Sequence, residues 1–547
     1  MSEVFINGNQ IDVEGEIRHT FQLNDIGNIN ERQTSYTNKF KAPKTPKNVE
    51  YYNRLGLVGV VYNTNPNNTE FPFGRPNVTI KEGGIDIVSA GYAVSGETDD
   101  YYNTTIYGGE RAFWEQIKIL TIQDCFPSTV ITLNAANFAN YINNDDIFIF
   151  CCAHYSSDTH CNAERTYYTG YQAVPPYTGL PDPYIELWAT GVTPQFFVKD
   201  LFQYVFDYLG YEVIHDLLDT DDFSELLMAA GTGMTSINAN LGYGDSFDLW
   251  YVAPTMPVNT FLSEIMYRYN LAIKVDELNK KVYFKNMDDI LTSDQVIDWS
   301  DKFSKRIKEV NKLGGYAQKN NLRYAKDDKY NYLSQNDELI GIFYIPNQTI
   351  QPETTVVSSK FTKPRLATYT APPATQYPPA VPDGYALGGF EYYLTTPSIA
   401  VRFYDLTEYT KIENGSKNVA KAFEYQMFYR KKYNLSLDYR IMDNSGAIAG
   451  TITNPHFYTL SIAETSFQVF LQKYYFTFRV LLTQMVVYTV EMRLTPTDIY
   501  FFDFFKKVYI EQLGAEFYVN KIKDFRAGEI TEVEIVKIPV ITTIKHS

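Results

Sequence analysis

The chain has 547 residues, of which 45% are hydrophobic; this excludes a disordered protein and leaves room for several cores. Its 48 basic and 64 acidic residues give a net charge of −16, which excludes a surface that coats nucleic acid with clustered Lys and Arg. Four Cys in a chain this long do not make a disulfide framework, and no run of about 18 apolar residues marks a membrane span.

The start, Met-Ser-Glu-Val, lacks the basic-then-apolar pattern of a signal peptide, so folding in a reducing cytoplasm is expected. Aromatic residues make up 16% of the chain, with 46 Tyr and 36 Phe. Tyr at that level suits wide sheets and wet interfaces, where the ring packs and the hydroxyl stays solvated.

In chain order, residues 1–124 predict an N-terminal β domain. Val4-Phe-Ile, Ile11-Asp-Val and Ile17 to Leu23 alternate as short strands joined by Gly turns. The strand carrying Phe40 must stop at Pro43, because Pro cannot donate to a ladder. Thr45 and Asn48 are placed to cap a helical segment from Val49 to Leu55. Val78 to Lys81 and Ile85 to Val88 form a hairpin, two further strands reach Tyr107, and Phe113 to Leu120 is amphipathic. Residues 125–193 show no period and several Pro and Gly, which predicts a loop-rich insertion.

Residues 194–306 predict a helix and hairpin module. Phe197, Val198, Leu201, Phe202, Val205 and Leu209 recur at helical spacing, with Pro194 suited to the first turn and Gly210 to the stop. A second helix from Pro257 to Tyr269 runs into Leu271 to Asp276, a polar turn, and Val282 to Asn286. Residues 307–365 predict a β segment. Residues 366–455 predict a Pro/Tyr-rich insertion with strands. Residues 456–547 predict a C-terminal β-meander, with a possible helix over Thr465 to Tyr475 and strands from Val480 to Ile538, Pro496 to Phe505 included.

One constellation has metal-ligand character: Cys151-Cys152-Ala-His154, followed by Asp158, His160 and Cys161. Cys151, Cys152, His154, His160 and Cys161 offer enough soft ligands for a tetrahedral zinc. The spacing matches no standard finger, adjacent Cys residues rarely chelate one ion well, and a buried strand from Ile147 to Cys152 followed by a loop with the two His is the simpler explanation. The carboxylates from Asp216 to Glu225 lack the Gly and the alternation of a calcium loop and suit a solvated helix start. The glycines at 231–233 and 242–244 have no P-loop Lys. With no Gly-x-Ser-x-Gly or His-Glu-x-x-His and only six His, no catalytic set assembles, so no enzyme and no cofactor beyond a structural zinc is expected.

Four segments together resemble the tail hub (baseplate-hub-like) proteins of phages that infect Bacteroides and relatives, including crAss-like phages. They are the N-terminal strands with Arg32, Phe40, Pro43, Thr45 and Asn48; the helix–hairpin unit with Asp298-Trp299; Gly315 to Tyr324 with Gln318, Asn320 and Tyr324; and the C-terminal Leu494, Asp498, Phe502, Tyr509, Phe517 and Gly528. They cover about 300 residues in the family's order, and the chain departs from the pattern at about 125–193 and 366–455. The resemblance implies an α+β, β-rich fold of several barrel- or sandwich-like domains around a central helix plus β-hairpin unit. It implies a structural subunit of the virion tail, in a closed ring around the channel through which DNA, and with it cargo proteins, would pass. Sixfold symmetry is the first expectation, with threefold and twelvefold as alternatives. Upstream rings or adaptors and downstream tail-tip proteins are the implied partners. Two rival readings are a receptor- or carbohydrate-binding tail protein and a hub with a cell-wall hydrolase inserted at 366–455.

Overall fold

The computed structural model describes residues 2–24, 26, 35–64, 69–74, 76–150, 194–217, 220–229, 243–310, 313–324, 340–361, 427–434, 437–443, 445, 447–461 and 465–539, together with the backbone of strands within 154–188 and 365–422. The fold is α+β and β-rich. Among the described residues, fourteen strands form one sheet. Its main path runs Asn9–Ile11, Ser2–Ile6, Asn77–Glu82, Ile85–Glu97, Tyr101–Tyr107, Tyr36–Thr37, His19–Gln22, Ala515–Phe525, Thr531–Lys537, Val487–Met492 and Phe303–Val310. Among the described residues the two end strands are not paired with each other, so the sheet they form is open.

The N-terminal and C-terminal β regions thus share one sheet, and His19–Gln22 is the seam between them. His19 pairs Thr37 on one side and Phe525 on the other. Alternation places Val4, Ile80, Tyr102, Val508, Phe517 and Val533 in one buried cluster on the sheet. Ile85–Glu97 is a single bent strand, with Ala90 at φ 53°. A Cβ at Gly91 would lie 2.7 Å from the Tyr107 carbonyl oxygen, so the close pairing there needs glycine.

The second and larger core is built on two helices. Val198–Leu209 buries Val198, Leu201, Phe202, Val205 and Phe206 and stops at Gly210 in the left-handed conformation. Val258–Tyr269 stops at Asn270, also left-handed, and leads into the hairpin Leu271–Asp276 and Lys281–Asn286. Phe202 and Phe206 pack on Phe284 of that hairpin, and Glu212–His215 adds a parallel third strand.

Several elements differ from the sequence expectation. Pro194 does not open the helix: Gln195–Phe197 is a strand between Phe148–Ile149 and Leu226–Ala229, because Phe196 and Phe197 are buried on both faces. The stretch 125–150, expected as loop, holds Val130–Thr132, Ala135–Tyr141 and Phe148–Ile149. These elements are too short to show a period; Asn134 caps the helix. The cap at Thr45 opens Pro46–Tyr51, not Val49 to Leu55. Phe476–Thr483 and Pro496–Phe501 are helices where strands were expected. A capping box of Thr495 and Asp498, with Pro at the first turn, decides the latter.

The described part of 366–455 that begins at Met427 is tied into the second core. Met427–Tyr433 pairs with Leu226–Ala229. Its Arg430 binds both oxygens of Glu225 at 2.5 and 2.9 Å and Asp145 at 2.6 Å. The same guanidinium lies over the Phe197 and Tyr458 rings.

Candidate functional site

The residues singled out by the resemblance fall into three nodes, each tying distant parts of the chain together. In the first, Asn48 is fully buried. Its side-chain amide donates to the carbonyls of Asp12 and Pro43 at 2.9 and 2.7 Å, and its oxygen accepts from the Asp12 N–H at 2.9 Å. Asn48 therefore acts as a strand partner made from a side chain. Thr45 accepts from the Asn48 N–H and donates to the Asp12 carboxylate at 2.8 Å, which holds Asp12 below the usual carboxylate range. Phe40 and Pro43 sit on the strand paired with Tyr101–Tyr107. Arg32 lies outside the described residues.

The second node is Trp299. Its ring packs on Phe502 with 5.0 Å between centroids, and its backbone N–H donates to the Tyr509 carbonyl at 2.9 Å. The strand Val296–Asp298 runs parallel to Lys507–Ile510, with Asp298 opposite Tyr509. Phe517 is buried on the neighbouring strand, and Gly528 at φ 84° turns that strand into the last one. Asp498, besides capping its helix, pairs with Lys302 at 3.5 Å.

The third node is Tyr324. Its hydroxyl donates to the Thr465 carbonyl at 2.7 Å and accepts from Arg268 at 3.2 Å. Arg268 is fully buried on the second central helix, with its guanidinium within 5.5 Å of the Tyr324, Phe361, Phe467 and Phe470 ring centres. One turn earlier, buried Glu264 accepts from Ser359 and from the Lys360 N–H, each at 2.6 Å; burial raises its pKa against the opposing pull of Arg268. Asn320 closes a turn on Ala317, and Gln318 donates to the Ile350 carbonyl at 3.0 Å. Tyr316 reaches the Ile26 carbonyl at 3.1 Å, and Asn520 accepts from the Ile26 N–H at 3.1 Å, so this node also joins the seam of the large sheet.

A cleft that sequence reasoning missed opens where three of these regions meet. Its volume is about 450 Å³, and it lies between the seam, the hairpin tip, and the start of the helix Gly109–Ile117. Phe21, Phe502 and Phe504 are aromatic parts of its wall, with exposed Tyr500 and Leu278 at its edge. Among the described residues Asp86, Glu110, Asp276, Glu277 and Asp503 line it against one cation, Lys274. Asp86 pairs with Lys81, Asp503 with Lys274, and Glu277 with Lys280 and Tyr211. Asp276 accepts from Asn279. Glu110 has no side-chain partner among the described residues, and burial pushes its carboxyl up to about 7. A Cβ at Gly109 would lie 2.6 Å from the Glu277 Cβ, so glycine is what lets the hairpin tip approach the helix. The signal in the sequence was Gly108-Gly109-Glu110, which alone reads as a turn and an ordinary first-turn acid.

The cluster Cys151, Cys152, His160 and Cys161 lies outside the described residues, and of His154 only the strand backbone is described. Among the described residues no three His, Cys, Asp or Glu side chains are grouped to hold a metal. Asp222 is not simply solvated: it accepts from Tyr474 at 2.8 Å and pairs with Lys473 at 2.5 Å. No helix of the described residues is long and apolar enough to cross a membrane.

No protein-family model matches the chain, and no curated protein matches it. Among solved structures it is similar over 98% of its length to the 43 kDa tail protein of prophage MuSo2 from Shewanella oneidensis, covering 99% of that chain at 8% identity with a TM-score of 0.34. It is likewise similar over 98% of its length to prophage tail protein gp18 from Listeria monocytogenes EGD-e, covering 94% of that chain at 7% identity with a TM-score of 0.32.

Proposed function

We propose that this chain is a structural subunit of a phage tail and, within the tail, a hub protein of the kind its sequence resembles in crAss-like phages. The observation that carries the reading is the convergence at the seam. Segments of the resemblance that are hundreds of residues apart meet around one fourteen-stranded sheet and its junction with the helix–hairpin core. Their side chains are spent on bracing and packing, Asn48 by bonding to backbone and Trp299 by stacking on Phe502, which suits a wall and not a reaction centre.

In this reading copies close into a ring through heterologous contacts, six copies being the favoured number, and the excess of acid lets DNA slide through the centre. Neighbouring tail proteins dock on the long insertions. The Cys/His cluster at 151–161 is the place where a structural zinc would sit.

The test is gold labelling of purified particles with antibody raised against the chain. Label confined to the tail supports the reading; label on the capsid, or none on intact and disrupted particles alike, overturns it.

A further inference from the structure

We propose that the cleft beside Glu110 receives the Lys308 side chain from the edge strand Phe303–Val310 of a second copy of this chain. The inference rests on the ring reading above and names the contact that would close it.

Two independent features point to each other. The first is the open edge. Among the described residues Phe303–Val310 is paired on one side, with Val487–Met492, and Ser304 to Glu309 are exposed. A strand edge of this length presents unpaired N–H and C=O groups, which proteins cover or blunt with charge. Here the charge is basic, in a chain whose net charge is −16. Lys305 is held by Glu491 at 3.2 Å and Arg306 by Glu309 at 3.0 Å, whereas Lys308 has no ion-pair partner among the described residues.

The second feature is the cleft. Among the described residues it carries five carboxylates against one Lys, and four of the five are held by neighbouring side chains or backbone. Glu110, half-buried at the cleft wall, is the one with no cation or other side chain beside it among the described residues; its carboxylate accepts from its own backbone N–H. An ammonium group with an aliphatic stem fits such a place: the stem lies along Tyr500 and Phe502, and the charge reaches the acid. The donor and acceptor surfaces are different parts of the chain, so the contact repeats head to tail, which is the geometry of a ring.

Mass photometry of the full chain tests this, comparing wild type, Glu110→Lys, Lys308→Glu and the double variant over a range of concentrations. The wild type should populate a discrete multiple of 62.9 kDa. Each single variant should raise the concentration needed for assembly at least tenfold, and the double variant should recover most of that loss. Lys308→Glu lies on an exposed strand and leaves the fold intact, so it carries the test if Glu110→Lys fails to fold; Glu110→Gln then replaces it, with a smaller loss expected. Multimers that persist in both single variants, or a double variant no better than either single one, overturn the cleft contact and leave the ring standing. Wild-type protein that stays monomeric at every concentration overturns both.

Discussion

Asp288 closes the start of a helix that follows it by 189 residues: its carboxylate accepts from the Thr477 N–H at 2.8 Å, and from the Phe478 N–H at the same distance. The helix Phe476–Thr483 has no side-chain cap of its own. Asp288→Ala should therefore cost about 2 kcal/mol, the size of a lost cap with two N–H groups left unpaired. Burial raises the Asp288 pKa to about 6 from an unfolded value near 3.8. A carboxyl raised in the folded state favours folding most when protonated, so its contribution is largest below about pH 4 and is lost as pH rises through 6. Asp288→Asn should flatten that part of the melting-temperature profile; an unchanged slope between pH 4 and 6 would show that another group sets it.

His19 titrates with the opposite sign. It is almost fully buried at the seam, stacked on Phe21, and neither ring nitrogen has a partner among the described residues. Burial lowers its pKa to about 4, whereas the unfolded chain protonates near 6.5. The neutral ring is stabilising above 6.5, and that stability is lost as pH falls toward 4, amounting to about 2 kcal/mol by pH 5. His19→Leu should remove this acid sensitivity while keeping the strand. If melting curves at pH 7.5 and 5 separate as widely in the variant as in wild type, the seam is not where acid acts.

What was legible in the sequence follows from how local each signal is. The face of Phe202, Val205 and Leu209 with its Gly210 stop, the hairpin after Tyr269, and the final strands are each set by residues within a few positions of one another. The helix Phe476–Thr483 was hidden because its cap comes from Asp288, and its β-branched and aromatic residues suit a strand as well. Gln195–Phe197 looked helical because three residues are too few to carry a period, and only pairing with Met228 and Phe148 makes them a strand. The helix Pro496–Phe501 was readable from Thr495-Pro-Thr-Asp498, but the aromatic run after it drew the reading toward β. The joining of the first and last strands at His19, and the cleft beside Glu110, depend on pairings across some 500 residues, which no local pattern encodes.

Arg268 and Glu264 make the second core sensitive to single charge deletions. Arg268→Ala leaves Glu264 buried and removes the contact to four rings, so it should destabilise by about 3–5 kcal/mol. The double variant Glu264→Gln with Arg268→Met keeps the volume and removes both charges, and should recover more than half of that loss. Urea unfolding followed by near-UV circular dichroism measures both. A double variant as unstable as the single one would mean that packing around the guanidinium, and not the stranded carboxylate, sets the cost.

Asn48 separates the shape of a side chain from its hydrogen-bonding pattern. Its oxygen accepts from Asp12 N–H while its amide donates to two carbonyls, and it is fully buried. Asn48→Asp keeps the size and one acceptor but presents an anion to the carbonyls of Asp12 and Pro43, and it should be at least as damaging as Asn48→Ala. Both should cost about 2–3 kcal/mol, because buried backbone groups lose their partners. The damage should be confined to the turn that links the first strands to Pro46–Tyr51, so limited proteolysis should cut between Asp12 and Tyr52 while the C-terminal strands stay protected. An Asn48→Asp variant as resistant as wild type would show that the fit of the side chain, and not its donor group, holds the turn.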